Sequence, residues 1–197
     1  MAPQEGSLEQ NDLVEDRLAE QVQQATGGDI VIGHPLGEGR TGRVYLANQQ
    51  TLGRKVAVKV LLPRHARDHS TVVRFKREAR AMAGCPHPGI ISVYNVGETR
   101  DSLPFFVMEY IEGETLEERL KRKPKLPLQE VVRIVTPLAD ALTYAHERGC
   151  VHRDVKPANV LIERSTGRVL LTDFGLAKSV SGERRAATLT GTGEILG

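Results

Sequence analysis

This sequence is poor in the residues that build domains stabilised by disulfides or by bound metal ions. Among its 197 residues there is no tryptophan, and only two cysteines occur, Cys85 and Cys150. Two cysteines so far apart make no disulfide framework and fit a reducing compartment. The Cys85-Pro86-His87 triplet supplies two metal ligands without a second pair nearby, so we expect reduced thiols near the core rather than a zinc site.

Long apolar runs and an excess of charge of one sign are also missing. No segment approaches the roughly 20 apolar residues of a membrane-spanning helix, and the acidic, polar start does not resemble a secretory signal. The 27 lysines and arginines nearly balance the 25 aspartates and glutamates, so we expect neither nucleic acid nor an anionic membrane as a partner. We therefore predict a cytoplasmic chain that buries one modest core or two small lobes.

The densest group of chemically useful side chains lies in residues 151–161, Val-His-Arg-Asp-Val-Lys-Pro-Ala-Asn-Val-Leu. Asp154 is suited to accept the proton of an incoming hydroxyl, Lys156 to neutralise charge on a phosphoryl group in transit, and Asn159 to bind Mg²⁺ through a neutral oxygen. Further along, Asp173 follows an apolar run and begins the triplet Asp-Phe-Gly, which makes it a second candidate metal ligand. These residues predict a phosphoryl-transfer site rather than a charged surface turn.

A glycine-rich pattern followed by a lysine lies in the first half of the chain. Gly37, Gly39 and Gly42 occur in a β-like segment, where they allow a hairpin tip to lie close over phosphates and to direct backbone N–H groups at them. In the next strand-like run, Ala57 and Lys59 share one face because side chains alternate along a strand. We expect this face to accept a flat base beside Ala57 and to place Lys59 near phosphates.

Two apolar stripes at helical spacing predict the helices that accompany these motifs. The first stripe consists of Val72, Phe75, Ala79, Met82 and Ala83. Glu78 lies at its edge, and because a carboxylate beside a buried stripe is costly unless paired, Lys59 is its natural partner. A solvated helix charge is the alternative. The second stripe, in a long helix over about residues 129–148, consists of Val131, Val135, Leu138, Leu142 and Ala145.

The first residues of the chain stand apart from the rest. Leu13, Val14, Leu18 and Val22 recur at helical spacing among polar residues, which predicts a short amphipathic helix. This helix can dock on the domain that follows or on a partner, but we favour a mobile, solvated leader.

Taken together, these motifs resemble those of the eukaryotic-type protein kinases, in a bacterial-like form. The lysine two residues after Asp154 resembles the Ser/Thr-specific branch. The resemblance runs from about Asp29 to Gly197 and implies an α+β, bilobal kinase-like fold. It divides the chain into a polar leader with a possible short helix (1–28), a β-rich N-lobe with one long helix (29–110) and an incomplete, mainly helical C-lobe (111–197).

The resemblance also implies a donor, a metal and a role for each site residue. ATP is the implied donor and Mg²⁺ the implied metal, bound by Asn159 and Asp173. The implied catalytic residues are Asp154, Lys156, Asn159, Lys59 and Glu78. The implied nucleotide-binding residues are Leu36, Gly37, Gly39, Gly42, Val44, Ala57, Lys59, Glu109, Ile111, Leu161 and Asp173. Glu109 and Ile111 are implied to bind through their backbone groups.

A hydroxyl-rich segment, residues 178–192, resembles an activation loop. Arg153 is the cation that receives an activation-loop phosphate in the family, so the resemblance implies autophosphorylation at Thr190 or Thr192. A merely flexible, hydroxyl-rich loop is the alternative. The implied substrate is a protein with a serine or threonine hydroxyl.

The sequence ends at Gly197, inside the segment that resembles the activation loop. We therefore expect a kinase fragment that is poorly stable and weakly active or inactive alone. Val155, Leu161 and the helix ending at Arg148 are expected to expose apolar surface. Two other functions stay open. One is a non-catalytic nucleotide-binding or scaffolding module. The other is a small-molecule phosphotransferase of related architecture, although such enzymes generally lack the His-Arg-Asp arrangement with Lys156.

Overall fold

The structure is a computed structural model, and it describes residues 17–39 and 41–174. The chain divides into two compact units. Unit 1 contains the chain up to Lys76 together with Val93–Tyr110, and unit 2 contains Arg77–Ser92 and the chain from Ile111 onward. The lobe limits expected from the sequence stay a prediction.

Unit 1 is built on an antiparallel sheet, which has five strands in the described residues, in the order β1-β2-β3-β5-β4. The strands are β1 Ile30–Glu38, β2 Gly42–Gln49, β3 Arg54–Leu61, β4 Val93–Glu98 and β5 Pro104–Glu109. The two inner strands β3 and β5 are rich in valine and phenylalanine and are buried along most of their length, as expected for strands covered on both faces. The edge strand β4 exposes Tyr94 and Val96.

A short helix, α1 (17–25), packs against this sheet. Leu18 and Val22 are 3 % and 0 % exposed and belong to the same core cluster as Tyr45 and Phe105. The Gln21 amide donates a hydrogen bond of 2.6 Å to Asp101 in the β4–β5 turn. The favoured interpretation of a mobile, solvated leader is therefore wrong for residues 17–25, because their apolar stripe is buried. Leu13 and Val14 lie outside the described residues.

Two helices follow β3, namely α2 (Pro63–Ala66) and α3 (His69–Ala83). Just before α3, the Asp68 carboxylate accepts hydrogen bonds from the Thr71 hydroxyl and from the Ser70 backbone and hydroxyl. These bonds stabilise the start of the helix in the manner of an N-cap. The predicted stripe of α3 is buried at Phe75, Ala79 and Met82, half-buried at Val72 and exposed at Ala83.

Among the described residues, unit 2 combines the end of α3 and two further helices with a small antiparallel sheet. The strands are β6 Gly113–Thr115, β7 Val160–Glu163 and β8 Val169–Leu171, and the helices are α4 Leu116–Arg122 and α5 Leu128–Glu147. β6 and β7 approach so closely that a Cβ on Gly113 would lie 2.0 Å from the Ile162 carbonyl oxygen. Glycine is therefore required at this position, since any side chain would separate the two strands.

The buried face of α5 differs from the predicted one. The buried residues are Ile134, Leu138, Ala141 and Ala145, which follow a spacing of three or four residues on one face. Val131 and Val135 are 38 % and 53 % exposed, so their predicted burial was wrong. The predicted stripe and the buried face have only Leu138 and Ala145 in common. The prediction was displaced around the helix axis because it followed the valines, which lie on the neighbouring, exposed face.

We predict that Leu18→Ala destabilises the protein by about 2–5 kcal/mol, the range measured when a buried leucine is truncated. The reason is that Leu18 is only 3 % exposed in the core of unit 1. Leu52→Ala is the matched control, because Leu52 is 60 % exposed. Urea unfolding of both variants should show a large loss for Leu18→Ala alone. Small, equal losses would mean that α1 contributes nothing to the core.

Candidate active site

The loop that carries Asp154 begins where α5 ends. Gly149 has a φ of 70°, and a glycine in this left-handed conformation is a common helix terminator. The chain then runs without regular structure to a single 3₁₀ turn, Pro157–Asn159, which leads into β7. Proline fits the first position of this turn because its ring fixes φ and no N–H is needed there. The polar residues are therefore presented from a loop that is constrained at both ends.

His152 links this loop to the segment after β8. Its side chain is 1 % exposed. Its Nε2 lies 3.0 Å from the Thr172 carbonyl oxygen, and its Nδ1 accepts a hydrogen bond of 3.3 Å from the Asp154 backbone N–H. These contacts fit a neutral ring with its proton on Nε2. Burial lowers the pKa of His152, which favours that neutral form.

Asp154, Lys156 and Asn159 form one hydrogen-bonded cluster. The Lys156 ammonium donates to Asp154 Oδ2 at 2.8 Å. The Asn159 amide nitrogen donates to the Asp154 backbone carbonyl at 2.8 Å and to Oδ2 at 3.0 Å. The hydrogen bond from Lys156 lowers the pKa of Asp154, and the bond from Asn159 adds to this effect. Asp154 is therefore ionised at neutral pH and can accept a proton.

The second candidate metal ligand lies beside the same loop. The Thr172 N–H donates a hydrogen bond of 3.0 Å to the Asn159 carbonyl, and Asp173 is the next residue. The Phe174 ring packs on His152 with a centroid distance of 4.5 Å. The fold therefore brings Asn159 and Asp173, which are far apart in the sequence, onto adjacent segments.

Two residues near the Asp154 cluster adopt a backbone conformation that is unfavourable for residues other than glycine. Arg153 has a φ of 62° and Asp173 a φ of 58°. A non-glycine residue in the left-handed region costs of order 1–3 kcal/mol and occurs mostly at functional sites. Arg153 directly precedes Asp154, the predicted base, and Asp173 is itself a predicted metal ligand, so the strain lies at the predicted site.

In unit 1, the glycine-rich segment forms the β1–β2 hairpin. The Gly39 N–H donates to the Gly42 carbonyl at 2.9 Å. A Cβ on Gly42 would lie 2.6 Å from the Val60 carbonyl oxygen, so only glycine allows the hairpin to lie this close to β3. Around Gly37 a Cβ would meet no atom within 4 Å, which leaves that side of the hairpin open.

Ala57 and Lys59, the predicted base and phosphate face of β3, lie in unit 1. Ala57 and Lys59 are 4 % and 5 % exposed. In the sheet, Lys59 lies opposite Val44 of β2 and Phe106 of β5. Its ammonium group lies 5.8 Å from the centre of the Phe106 ring. Glu78, in unit 2, is 7 % exposed. Neither Lys59 nor Glu78 lacks a partner, and their pairing with each other stays a prediction.

The other predicted nucleotide-binding residues vary in exposure. Leu36 is 43 % exposed, and Ile111 is 8 % exposed. Glu109 and Leu161 are half-buried. Their contacts with a nucleotide remain predicted. Thr190 and Thr192, the predicted phosphorylation sites, lie outside the described residues.

Sequence reasoning missed an ion-pair network on α4. Arg122 and Arg119 donate to Glu114 at 2.7 and 2.9 Å, and Lys123 donates to Glu130 at 3.0 Å. The hydrogen bond from Arg122 lowers the pKa of Glu114 to about 2. These pairs are five, eight and seven residues apart, so helical spacing gave no sign of the network. The basic residues around Arg122 are therefore paired within the chain.

The fold also brings the two cysteines together. Cys85 is buried and Cys150 half-buried, and both are free thiols. Burial raises the pKa of Cys150 to about 12, with a further contribution from the neighbouring Cys85. A thiol with so high a pKa stays protonated at neutral pH and is a poor nucleophile.

Comparison with known proteins identifies the class. The model of the protein kinase domain family matches residues 30–195, which is most of the chain. The chain therefore belongs to the protein kinase domain family. Members of this family use ATP and Mg²⁺ and act on protein substrates.

Several relatives at about 40 % identity are bacterial serine/threonine-protein kinases. The chain is 41 % identical to a probable serine/threonine-protein kinase of Streptomyces coelicolor, in a match that covers 87 % of this chain and 25 % of that protein. It is 40 % identical to the serine/threonine-protein kinase PknB of Mycobacterium leprae, over 84 % of this chain and 26 % of that protein. The chain thus spans about a quarter of the length of these relatives.

A solved structure supports the same assignment. The crystal structure of the Mycobacterium tuberculosis PknI kinase domain matches with a TM-score of 0.65 and 39 % identity, covering 76 % of this chain and 61 % of that chain. The predicted kinase-like α+β fold and the resemblance to bacterial Ser/Thr kinases are confirmed. Within residues 17–39 and 41–174, no helix combines the length and apolar character needed to cross a membrane.

We predict that Lys156→Met raises the pKa of Asp154, because the bond from Lys156 is the largest influence that lowers it. The stabilisation from this pairing is present above the carboxyl's unfolded pKa and is lost as the pH falls through its lower folded pKa. A carbon-13 NMR titration of the Asp154 carboxyl measures the change. Lys121→Met is the control, since Lys121 pairs with Glu117. An unchanged Asp154 pKa in Lys156→Met would contradict the assignment.

Proposed function

We propose that this chain carries the phosphoryl-transfer site of a Ser/Thr protein kinase. The reaction moves the γ-phosphoryl group of MgATP to a serine or threonine hydroxyl of a protein substrate. The observation that carries this proposal is the cluster of Asp154, Lys156 and Asn159, in which an ionised carboxylate is held by a cation and an amide. Because the chain spans about a quarter of its relatives' length, the activity of the whole protein is part of the proposal.

Asp154 is the proposed general base. Its carboxylate is held at Oδ2 by Lys156 and Asn159, which leaves Oδ1 as the atom to receive the proton of the substrate hydroxyl. A base must be ionised before the reaction, and the lowered pKa of Asp154 meets this requirement at neutral pH. Lys156 is half-exposed at 51 % of its side chain, so it can turn from Asp154 toward a phosphoryl oxygen and neutralise its charge.

Asn159 and Asp173 are the proposed metal ligands. The Asn159 amide nitrogen makes both hydrogen bonds to Asp154, so its amide oxygen is the atom that can bind a hard cation. With the Asp173 carboxylate, it provides the oxygen donors that Mg²⁺ prefers. This donor set fits the metal that the family uses. When bound, Mg²⁺ neutralises the charge of the donor phosphates.

The proposed nucleotide-binding groups lie mainly on the sheet of unit 1. The hairpin glycines offer backbone N–H groups to phosphates. Lys59 holds the α and β phosphates, with Glu78 as its proposed partner, and Ala57 and Val44 leave room for the base. The remaining proposed nucleotide-binding residues are Leu36, Glu109, Ile111 and Leu161. Because ATP is the donor, we also propose that the domain acts in the cytoplasm.

A non-catalytic nucleotide-binding or scaffolding module is the alternative function. Such a module would tolerate substitution of the general base or of a metal ligand. Asp154, Lys156, Asn159 and Asp173 are all present in this chain, so no observation favours the alternative. A small-molecule phosphotransferase is also disfavoured, because the named relatives are serine/threonine-protein kinases.

We predict that Asp154→Asn lowers phosphoryl transfer by about 10²-fold or more, the usual contribution of a positioned general base. Asparagine keeps the size of the side chain but cannot accept the hydroxyl proton. Transfer of labelled γ-phosphate to a serine- and threonine-containing protein measures the rate in the intact protein. Asp140→Asn is the control, because Asp140 is an exposed carboxylate on α5. Full activity in Asp154→Asn would refute the proposed role.

We also predict that incubation with MgATP phosphorylates Thr190 or Thr192. Arg153 is exposed beside Asp154 and is the proposed cation that binds the phosphate. Phosphopeptide mapping locates the modification, and the double variant Thr190→Ala, Thr192→Ala should lose it. An unmodified 188–192 peptide from an otherwise active preparation would end this hypothesis.

A further inference from the structure

A three-residue ion cluster joins the glycine-rich hairpin to α2. Glu38, the last residue of β1, lies opposite Arg43, the second residue of β2. Arg43 donates to Glu38 Oε2 through Nε at 3.0 Å and through Nη2 at 2.5 Å. Arg64 of α2 donates to the other oxygen, Oε1, through Nη2 at 2.6 Å. Both oxygens of Glu38 are therefore occupied, each by a different arginine.

The three side chains of the cluster differ in their exposure to solvent. Arg43 is only 12 % exposed, Glu38 34 % and Arg64 59 %. The buried Arg43 pairs with Glu38 across the hairpin, while the exposed Arg64 reaches the hairpin from outside. Arg64 Nε also donates to His65 Nε2 at 3.2 Å, which orients the guanidinium. Arg64 is thus the member of the cluster whose removal leaves the core intact.

Backbone hydrogen bonds also connect the glycine-rich hairpin to the start of α2. The Gly39 N–H donates to the Gly42 carbonyl at 2.9 Å, and the Leu62 N–H donates to the Thr41 carbonyl at 3.2 Å. The second bond joins the hairpin to the residue that precedes α2. The side-chain cluster and the backbone therefore connect the same two segments, so that loosening one should loosen the other.

The charges of the cluster matter because of where Glu38 lies. It stands directly before Gly39, in the hairpin proposed to bind phosphates, where an unpaired carboxylate would repel a triphosphate. Two arginines neutralise this carboxylate and leave a net positive charge of one on the cluster. The position of the hairpin and its charge toward phosphates thus depend on the same contacts.

We propose that Glu38, Arg43 and Arg64 form a clamp that fixes the glycine-rich hairpin, which makes Glu38 and Arg64 positioning residues for the phosphates of the donor nucleotide. This inference rests on the proposed function for its nucleotide but not for the clamp itself. Arg64 acts through Glu38, and this distinguishes the clamp from a direct contact between Arg64 and a phosphate.

Hydrogen exchange tests the clamp without any nucleotide. In Arg64→Ala and in Glu38→Gln, the Gly39 and Leu62 amides should exchange about two- to fivefold faster, the range that partly exposed ion pairs contribute. The double variant should exchange no faster than Glu38→Gln alone, because the two residues act as one contact. Unchanged exchange, or effects that add in the double variant, would overturn the proposal.

Lys76→Ala is the matched control for hydrogen exchange. Lys76 forms an ion pair of 2.5 Å with Glu98 in the same unit, and Glu98 ends β4, the strand at the opposite edge of the sheet from β1. Its loss should leave the Gly39 and Leu62 amides unchanged. Faster exchange of these amides in Lys76→Ala would show a general loosening of unit 1 and would count against the clamp.

Nucleotide affinity then separates positioning from direct contact. Arg64→Ala should weaken ATP binding about two- to fivefold without changing the affinity for adenosine, which has no phosphates, and Arg64→Lys should restore part of the loss. In the Glu38→Gln background, Arg64→Ala should have a smaller effect, because only the charge of Arg64 and no longer the clamp is lost. A loss of equal size in that background would mean that Arg64 contacts the phosphate itself and would overturn the positioning role.

The two hypotheses can fail separately. If the wild-type chain binds no ATP, the proposed function is wrong, while hydrogen exchange still decides whether the clamp exists. If it binds ATP and the variants match it in both measurements, the clamp is wrong and the proposed function stands.

Discussion

The hydrogen bonds around the Asp154 carboxylate hold the candidate active site together. The Asn159 amide binds both the backbone and the side chain of Asp154, and Lys156 shares the same oxygen. From Asn159 a backbone bond continues to Thr172, and from Thr172 a bond leads back to the buried His152. The proposed base, the proposed amide ligand and the segment before Asp173 therefore form one connected polar network. Such a network orients its members when every polar group is satisfied.

The positions of charged groups in each unit follow from the cost of burying them. Lys59 and Glu78 are both less than a tenth exposed, and a buried charge is tolerated only with a partner. Glu38 is 34 % exposed and is paired with two arginines at the hairpin, and the less exposed Glu114 of β6 is paired with Arg119 and Arg122 of α4. The carboxylates of Glu38 in unit 1 and Glu114 in unit 2 are thus each held by two arginines. The α4 network shows that the same rule also operates where no catalytic role is proposed.

Local features were predicted well from the sequence, and the orientation of amphipathic helices was not. The loop around Asp154 was recognisable because its polar residues lie within a few positions of one another and its proline restricts the backbone. The glycine requirement at Gly42 followed from the hairpin spacing. By contrast, the buried face of α5 was displaced, since Val131 and Val135 are apolar yet exposed. The docking of α1 was also missed. Periodicity shows that Leu18 belongs to an apolar stripe, but it does not show which surface packs against that stripe.

The sequence by itself determined the chemistry of this protein, because residue types and short spacings define which groups can accept a proton, bind Mg²⁺ or cradle a phosphate. Only the tertiary structure decided which distant groups meet. His152 and Thr172 are 20 residues apart, and Glu38 and Arg64 are 26 apart. Such contacts depend on strand register and helix packing, which local periodicity does not specify. The lowered pKa of the buried His152 and the paired state of Glu38 therefore became visible only once the chain was folded.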